Sequence, residues 1–397
     1  MQFTPSPLDL RKHWDLDPDV TFLNHGSFGA TPLAVLEYQE RLRRRLEKEP
    51  VRFFQDELKT LARSAREDLG RFVGAEPDDL AFVPNATTGV NTVVRSLSFE
   101  PGDEILITNH GYNACSNAVR FAADRAGATV VTATIPFPVD GPDTILGHIL
   151  EHVTPNTRLA LIDHVTSPTA LVFPIGRIVS ELMNLGVDTL VDGAHAPGMV
   201  DLDIEAIGAA YYTANCHKWM CAPKGTAFLH VREDLQDRIV PTTISHGANS
   251  PDSDTSRFRL LFDWTGTHDP TPYLSIPTAI ATLDSLLEGG WSAVREHNHT
   301  LALAARDVLV DALGIDPPAP DSLLGSMTAV PLPDETAPFS TGYSQPLRDS
   351  LLDEFGIEVP VPSWPSWPSR LIRVSAHLYN EIDQYRALAR ALTEPGV

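Results

Sequence analysis

Short runs of β-forming residues alternate with helical patterns between residues 80 and 231, and this alternation restricts the fold more than any other feature. The predicted strands are residues 80–83, 104–108, 129–134, 158–162, 188–191, 210–213 and 226–231. Segments with apolar residues at three-to-four spacing lie between several of them, at residues 89–98, 113–126, 144–152 and 175–185. Strands that alternate with helices predict an α/β fold, in which helices cover both faces of a mainly parallel sheet.

The rest of the chain has a different pattern and predicts a second domain. The 397 residues exceed the roughly 250–300 at which a single core stops growing. Residues 241–275 are rich in proline and indicate a long functional loop. Two helical patterns follow, and then short strands and helices typical of a small α+β unit. We predict a large α/β domain over residues 20–275 and a smaller C-terminal α+β domain over residues 276–397, with residues 1–19 packing on the smaller domain.

Charge and motif content exclude several classes of protein. The formal net charge is −22, with 52 acidic and 30 basic residues, which disfavours a nucleic-acid partner. No apolar run reaches the ~18–20 residues of a membrane span, and the first residues lack the apolar core of a signal peptide. The three cysteines are too few for a disulfide framework, so we expect a cytoplasmic protein. Neither G-x-G-x-x-G nor a P-loop motif occurs.

An aspartate, a histidine and a lysine follow two successive predicted strands. Asp192 ends the strand at residues 188–191, and His195 follows it in the sequence Asp-Gly-Ala-His. Lys218 comes after the next strand, and lysine is scarce in this chain. Ligands of open α/β sheets bind at the carboxyl ends of strands, so these side chains are expected in one crevice. This set suits pyridoxal phosphate, which binds a lysine as a Schiff base and needs an acidic partner for its ring nitrogen.

Segments spread over nearly the whole chain resemble one family. They run in the family's order: Leu23-Asn24-His25-Gly26-Ser27-Phe28-Gly29, Asn85-Ala86-Thr87-Thr88, Asp192-Gly-Ala-His195-Ala-Pro-Gly198, His217-Lys218-Trp219, Thr265-Gly266-Thr267-His268-Asp269 and Arg373-Val-Ser375-Ala. The chain resembles fold-type I pyridoxal-phosphate enzymes of the class V aminotransferase type, and within them the isopenicillin N epimerase group. The resemblance implies the fold-type I architecture and pyridoxal 5'-phosphate as cofactor.

The resemblance also implies roles for individual residues around the cofactor. Lys218 matches the Schiff-base lysine, whereas Lys224 in the Pro-Lys-Gly turn is expected to be structural. Asp192 matches the partner of the ring nitrogen, and His195 the histidine near the phenolic edge. The remaining cofactor positions are a phosphate site at the start of a helix, a stacked aromatic ring and three further polar residues: Thr87, Thr88, Tyr112, Ser167, Asn215 and His217.

Further positions concern the substrate and a second subunit. Arg373 matches the arginine that grips the substrate carboxylate, and Asn24 and Ser27 are expected to contact substrate or cofactor. Trp364 and Trp367 precede Arg373 in a proline-rich loop, and we interpret them as walls of a site for a bulky substrate. Thr267 matches a residue that reaches the phosphate in the neighbouring subunit, which implies a homodimer with shared active sites.

The sequence leaves the reaction open. We expect β-elimination of the C–S lyase type or epimerisation of a tailored amino acid in specialised metabolism such as antibiotic biosynthesis. Transamination and decarboxylating or oxidative deamination are the alternatives. A cysteine desulfurase is not expected, because no cysteine follows Cys221. The segment His148-Ile-Leu-Glu151-His152 spells H-x-x-E-H, so a zinc hydrolase is a remote alternative; we otherwise expect no metal.

Overall fold

A computed structural model describes residues 10–336 and 345–394. Its central sheet has seven strands in the order β2-β8-β7-β6-β5-β3-β4. Strand β8 is antiparallel to both of its neighbours and the other pairs are parallel. The bounds are β1 Thr21–Phe22, β2 Leu80–Val83, β3 Glu104–Thr108, β4 Thr129–Ala133, β5 Thr157–Asp163, β6 Asp188–Asp192, β7 Tyr211–Asn215, β8 Ala227–Val231, β9 Met327–Leu332, β10 Ile357–Glu358 and β11 Arg370–Ser375. The α/β fold with a mainly parallel sheet is confirmed.

Helices cover both faces of this sheet and form most of the remaining structure. In the described ranges they are α1 His25–Phe28, α2 Leu33–Lys48, α3 Pro50–Arg52, α4 Leu58–Val73, α5 Ala86–Ser96, α6 Asn113–Ala126, α7 Pro142–Leu150, α8 Ile175–Asn184, α9 Ile204–Ile207, α10 Arg257–Phe262, α11 Thr271–Leu274, α12 Ile276–Asp284, α13 Gly290–Leu313, α14 Pro346–Phe355 and α15 Ile382–Thr393. None of the helices in the described part is long and apolar enough to cross a membrane.

Helix α5 begins three residues before its predicted start at residue 89. The Asn85 side chain accepts a hydrogen bond from the Thr88 backbone N–H at 2.8 Å, which caps the helix. The apolar periodicity begins only with Val90, after the cap, so periodicity alone places the start too late. The cap brings Thr87 and Thr88 into the first turn of the helix.

The proline-rich stretch of residues 241–275 is not a continuous loop. It contains a 3₁₀ turn at His246–Asn249 and the helices α10 and α11. Ser256 caps α10 by accepting the Arg259 backbone N–H, and Phe258 and Leu261 are buried in the core. This helix has only six residues, and it forms because its apolar face packs in the core.

The C-terminal part contains its own small sheets. Strands β9 and β11 pair antiparallel, and β1 pairs parallel with β10, which ties the start of the chain to the C-terminal part. Leu23 packs with Val330 and Ile357 in the same apolar cluster. Residues 21–23 therefore contact the C-terminal part, and the division into residues 20–275 and 276–397 stays a prediction. Leu10 and Trp14 also pack on C-terminal residues, while residues 1–9 lie outside the described ranges.

Candidate active site

A cavity of about 600 Å³ opens at the carboxyl ends of the parallel strands. Asp163 ends β5, Asp192 ends β6 and Asn215 ends β7, and all three side chains line it. This size is typical of a site for a cofactor or small ligand. The predicted residues that line the cavity are Ser27, Thr87, Thr88, Tyr112, Ser167, Asp192, His195, Asn215, His217 and Lys218.

Lys218 lies in the turn after β7, and two residues of the Leu23–Gly29 segment hold its backbone. The imidazole Nε2–H of His25 donates to the Lys218 carbonyl at 3.0 Å, and the Tyr379 hydroxyl donates to His25 Nδ1 at 2.6 Å. Gly29 has a φ of 71°, and a Cβ there would lie 2.1 Å from the His217 carbonyl oxygen. Glycine is therefore required for the close approach of these two segments.

The environment of Lys218 favours a neutral amine. Burial lowers the pKa of Lys218 to about 7, and the guanidinium of Arg373 lowers it further, while Asp192 acts in the opposite direction. The Lys218 Nζ lies 3.0 Å from Nε2 of His195. Burial also holds the pKa of His195 well below its usual value, so this imidazole is neutral. A lysine with such a pKa can act as a nucleophile or a base near neutral pH.

Asp163 is a site residue that the sequence analysis missed. It is paired in register with Asp192 across β5 and β6, and both carboxyl groups are buried. Burial raises the pKa of both groups, and the charge of Asp192 raises that of Asp163 further. The Cys115 thiol and the Ala194 backbone N–H each donate to Asp192 at 3.0 Å. A usable signal was present, because Asp163 follows a buried apolar strand just as Asp192 does.

The first turn of helix α5 lines the cavity. The Asn215 side-chain oxygen accepts the Ala86 N–H at 2.9 Å, and Asn85 accepts that of Thr88, which holds the first turn in place. His217 Nδ1–H donates to the Thr226 carbonyl at 3.1 Å, so its Nε2 is the acceptor of the neutral ring. Burial lowers the pKa of His217 to about 4. A helix start of this kind suits an anionic group such as phosphate.

Arg373 is buried just behind the cavity wall. Its Nη1 donates to the Ser167 carbonyl at 2.6 Å and its Nη2 donates to the Ser27 hydroxyl at 3.0 Å. Asn24 holds Ser27 in this arrangement. Its Oδ1 accepts a hydrogen bond from the Ser27 hydroxyl at 2.5 Å, and its Nδ2 donates one to Glu358 at 3.0 Å. Among the described residues no carboxylate pairs with Arg373, and its Nε has no hydrogen-bond partner. Burial lowers the pKa of Arg373 to about 10.

Besides Asn24 and Arg373, which lie behind the cavity wall, three further predicted residues do not line the cavity. Trp364 is buried against His110 and Phe137, and its indole N–H donates to the Asn109 carbonyl at 3.1 Å. It packs among the core residues of this chain and does not line the cavity, which does not support its interpretation as a wall of the substrate site. Trp367 is 42% exposed and, like Trp364, is absent from the cavity lining. Thr267 is exposed on the surface of this chain and does not reach the cavity.

The H-x-x-E-H segment does not form a ligand set in the structure. Helix α7 ends at Leu150, so Glu151 and His152 follow the helix, and His152 Nδ1 bonds the His148 carbonyl at 2.7 Å. Two other groups of potential metal ligands occur in the described ranges: His25, Cys221 and His377, and Asp79, Glu205 and His230. In the first, His25 uses both ring nitrogens in hydrogen bonds, and in the second His230 pairs with Glu205 at 3.3 Å.

Similar proteins include curated enzymes that act at amino acids. An isopenicillin N epimerase of Amycolatopsis lactamdurans is 37% identical over 398 residues, which cover 97% of each chain. A probable chloroplastic L-cysteine desulfhydrase of Arabidopsis thaliana is 32% identical over 404 residues, with 95% of this chain and 83% of the relative covered. The predicted resemblance to the isopenicillin N epimerase group is confirmed.

Solved structures share the fold over the full chain. A C-DES variant with glycine covalently linked to its pyridoxal phosphate cofactor matches with a TM-score of 0.81 at 20% identity, covering 99% of this chain and 100% of the other. A cysteine desulfurase from Escherichia coli matches with a TM-score of 0.76 at 18% identity, covering 98% of each chain.

These matches overturn one expectation. The exclusion of a cysteine desulfurase rested on the lack of a cysteine after Cys221. It is wrong, because relatives named L-cysteine desulfhydrase match nearly the whole chain and cysteine desulfurases share its fold.

The family follows from a match that covers most of the sequence. The aminotransferase class-V family model matches residues 32–337, which contain Asp192, Lys218 and the start of helix α5. Together with the relatives above, this match shows that the chain belongs to the class-V aminotransferase family.

Proposed function

We propose that this protein is a pyridoxal-phosphate-dependent enzyme that removes the Cα proton of an amino-acid substrate and catalyses β-elimination. One observation carries the proposal: Lys218 lines the cavity with a pKa lowered to about 7, and Arg373, which has no carboxylate partner among the described residues, bonds Ser27 and Ser167 in the wall of the same cavity. A free amine is needed to take a proton, and a buried arginine without a carboxylate partner is suited to the substrate's α-carboxylate.

The residues around the cavity fit the expected cofactor, pyridoxal phosphate. Asp192 and Asp163 bring two buried carboxyl groups together, and a protonated ring nitrogen would supply the positive charge that this pair lacks. The N-terminus of α5, with Thr87 and Thr88, and His217 would hold the phosphate. Lys218 would hold the aldehyde carbon covalently, and Tyr112 and His195 would flank the ring. When bound, the cofactor supplies an electron sink that makes the Cα proton removable.

The side chains around the cavity would then have separate roles in the reaction. Arg373, held by Ser27 and Ser167, orients the substrate through its carboxylate. Lys218 takes the Cα proton as a general base, and Nε2 of His195 lies 3.0 Å from the same nitrogen. One base on one face is sufficient for elimination of a leaving group at Cβ. The relatives named L-cysteine desulfhydrase support a sulfur leaving group.

Epimerisation is the second candidate, supported by relatives named isopenicillin N epimerase at 37% and 34% identity. It needs a proton donor on the face opposite Lys218. Tyr112 lines the cavity and is 41% exposed at its mouth, so it is the side chain to test for that role.

Turnover in deuterated water separates the two reactions. The substrates to test are cysteine, cystine, S-alkyl cysteines and an L-amino acid with a long side chain. For β-elimination we expect a 2-oxo acid and ammonia, together with sulfide from cysteine, a persulfide from cystine or a thiol from an S-alkyl cysteine. Intact amino acid with deuterium at Cα would show epimerisation. If wild-type protein loaded with pyridoxal phosphate exchanges no Cα proton of any of these, the proposed function is wrong.

We further propose that the enzyme is a homodimer with shared active sites. Phe28 is 67% exposed at the mouth of the cavity, where a second subunit would cover it. Thr267 is exposed and would reach the partner's cofactor phosphate. Mixing inactive Lys218→Ala and Thr267→Ala variants tests this proposal, because mixed dimers should regain activity at one of their two sites and unmixed variants should not.

A further inference from the structure

Trp219, His195 and Lys218 form a line of hydrogen bonds at the cavity floor. The Trp219 indole Nε1 lies 3.3 Å from His195 Nδ1, and His195 Nε2 lies 3.0 Å from Lys218 Nζ. We propose that Trp219 is a positioning residue: its N–H fixes the tautomer of His195, which in turn holds Lys218 as a free amine. This inference rests on the proposed role of Lys218 as nucleophile and base.

The chemistry of the three groups determines the direction of each bond. An indole N–H is only a donor, so His195 Nδ1 must accept and carries no proton. The neutral imidazole then has its proton on Nε2, which faces Lys218. A lysine accepts a hydrogen bond only when it is unprotonated, since an ammonium group has donors alone. The line therefore favours the neutral amine at Lys218 and disfavours its ammonium form.

The indole is held in this orientation from several sides. Trp219 is 1% exposed and packs on the rings of His25 and His377, with centroids at 4.9 Å and 6.2 Å. Gly198 has a φ of 85°, and a Cβ there would lie 2.6 Å from the Trp219 carbonyl. The backbone and the ring of Trp219 are both confined, so its N–H cannot turn away from His195.

Some of the charged and titratable groups around Lys218 and His195 favour a positive charge there, and others disfavour it. Arg373 and the neighbouring histidines disfavour positive charge at the site, whereas the buried carboxyl groups and a thiol favour it. The groups facing Lys218 and His195 are Arg373, His25, His217, Asp163, Asp192 and Cys115. Trp219 adds no charge to this balance. It acts by disfavouring the tautomer in which His195 Nε2 could accept a hydrogen bond from the ammonium form of Lys218.

Loss of the indole N–H has a specific consequence. In Trp219→Phe, His195 can move its proton to Nδ1, and its Nε2 can then accept a hydrogen bond from a protonated Lys218. The ammonium form gains a partner and the free amine loses one, so the pH at which Lys218 becomes reactive should rise. We expect a shift of about one pH unit, or on the order of tenfold slower condensation with the cofactor at pH 7.

The rate at which cofactor-free protein condenses with pyridoxal phosphate measures this directly. Stopped-flow absorbance is recorded from pH 6 to 9 for wild type, Trp219→Phe and the control Trp291→Phe. Trp291 is also buried, but its indole N–H donates to the Ile280 carbonyl, away from the cavity. We expect the pH midpoint to rise only in Trp219→Phe, with the rate restored at high pH. An unchanged midpoint, or an equal loss of rate at every pH, would overturn the inference.

A second measurement, made on wild-type protein, decides the matter independently of Trp219→Phe. In ¹⁵N NMR of histidine-labelled, cofactor-free protein, His195, assigned by its loss in His195→Gln, should show an unprotonated Nδ1 and a protonated Nε2. The opposite tautomer would overturn the inference even if Trp219→Phe does not fold. If wild type forms no covalent adduct with the cofactor at any pH, the proposed function fails, and the NMR result still decides the tautomer.

Discussion

Asp163 and Asp192 lie directly opposite each other at the ends of neighbouring parallel strands, with both carboxyl groups buried. Two such groups cannot both be charged at low cost, so one of them keeps a proton. Asp192 accepts hydrogen bonds from Cys115 and Ala194 that favour its charged form. The raised pKa of Asp163, caused by burial and by the charge of Asp192, makes Asp163 the protonated partner.

A proton on Asp163 and a charge on Asp192 predict effects of very different size for the same substitution at the two positions. Asp163→Asn replaces a neutral acid by a neutral amide, so activity and cofactor affinity should change by less than about tenfold. Asp192→Asn removes the charge that faces the cofactor ring, and kcat/KM should fall by on the order of 10²-fold or more. Steady-state kinetics and cofactor titration of both variants test this. Equal losses in the two variants would contradict the assignment of the proton to Asp163.

Substitution of Arg373 should affect substrate binding more than cofactor binding. Arg373→Lys keeps the charge but loses the planar fork that Ser27 and Ser167 orient. We expect kcat/KM to fall by roughly 10- to 100-fold, equivalent to the ~1.5–3 kcal/mol of a charge-assisted hydrogen bond. Cofactor affinity should stay within about threefold of wild type. Arg386→Lys, at an exposed ion pair with Asp383, is the control and should leave both constants unchanged.

Buried histidines should make the fold sensitive to acid. Burial lowers the pKa of His164 to about 4, and its Nδ1 bonds the Tyr212 hydroxyl at 2.8 Å. The folded-state pKa is below the unfolded value of ~6.5, so the stabilisation is complete above that value and is lost as pH falls towards 4. His164 alone contributes a slope of about 1.4 kcal/mol per pH unit in this window.

Urea unfolding at pH 7.5, 6.5, 5.5 and 4.5 measures that slope. His164→Gln should be less stable than wild type at pH 7.5. Below pH 6.5 its stability should fall less steeply, because its unfolding takes up about one proton fewer. His246→Gln, at an exposed position, should keep the wild-type slope. If His164→Gln and wild type lose stability in parallel, the histidine is not buried in its neutral form.

Much of the fold could be predicted because buried strands leave continuous apolar runs. Strands β2 and β3 have their predicted bounds of residues 80–83 and 104–108. The reversed direction of β8 was not predicted, although the sequence contains a signal. No helical pattern lies between β7 and β8, and parallel strands need a long crossover, which is usually a helix. The missing helix indicates the antiparallel return that holds Lys218 in its turn.

Prediction of the site depended on which residues end a strand. Asp192, Asn215 and Lys218 come from strand ends, and the structure brings all three into one cavity. Trp364 is close to Arg373 in sequence but packs in the core, because distance along the chain does not fix where a side chain points. The hydrogen bonds that join Trp219, His195 and Lys218 could not be read from the sequence, since they depend on how two separate segments pack against each other.

The covalent attachment of pyridoxal phosphate to Lys218 tests the central claim most directly. Purified protein is loaded with the cofactor, reduced with borohydride, digested and analysed by mass spectrometry, with Lys218→Ala and Lys224→Ala in parallel. We predict a visible absorption band that reduction removes, and a pyridoxyl adduct on the peptide containing Lys218 in wild type and Lys224→Ala. An adduct on Lys224, or none in wild type at saturating cofactor, would contradict the account.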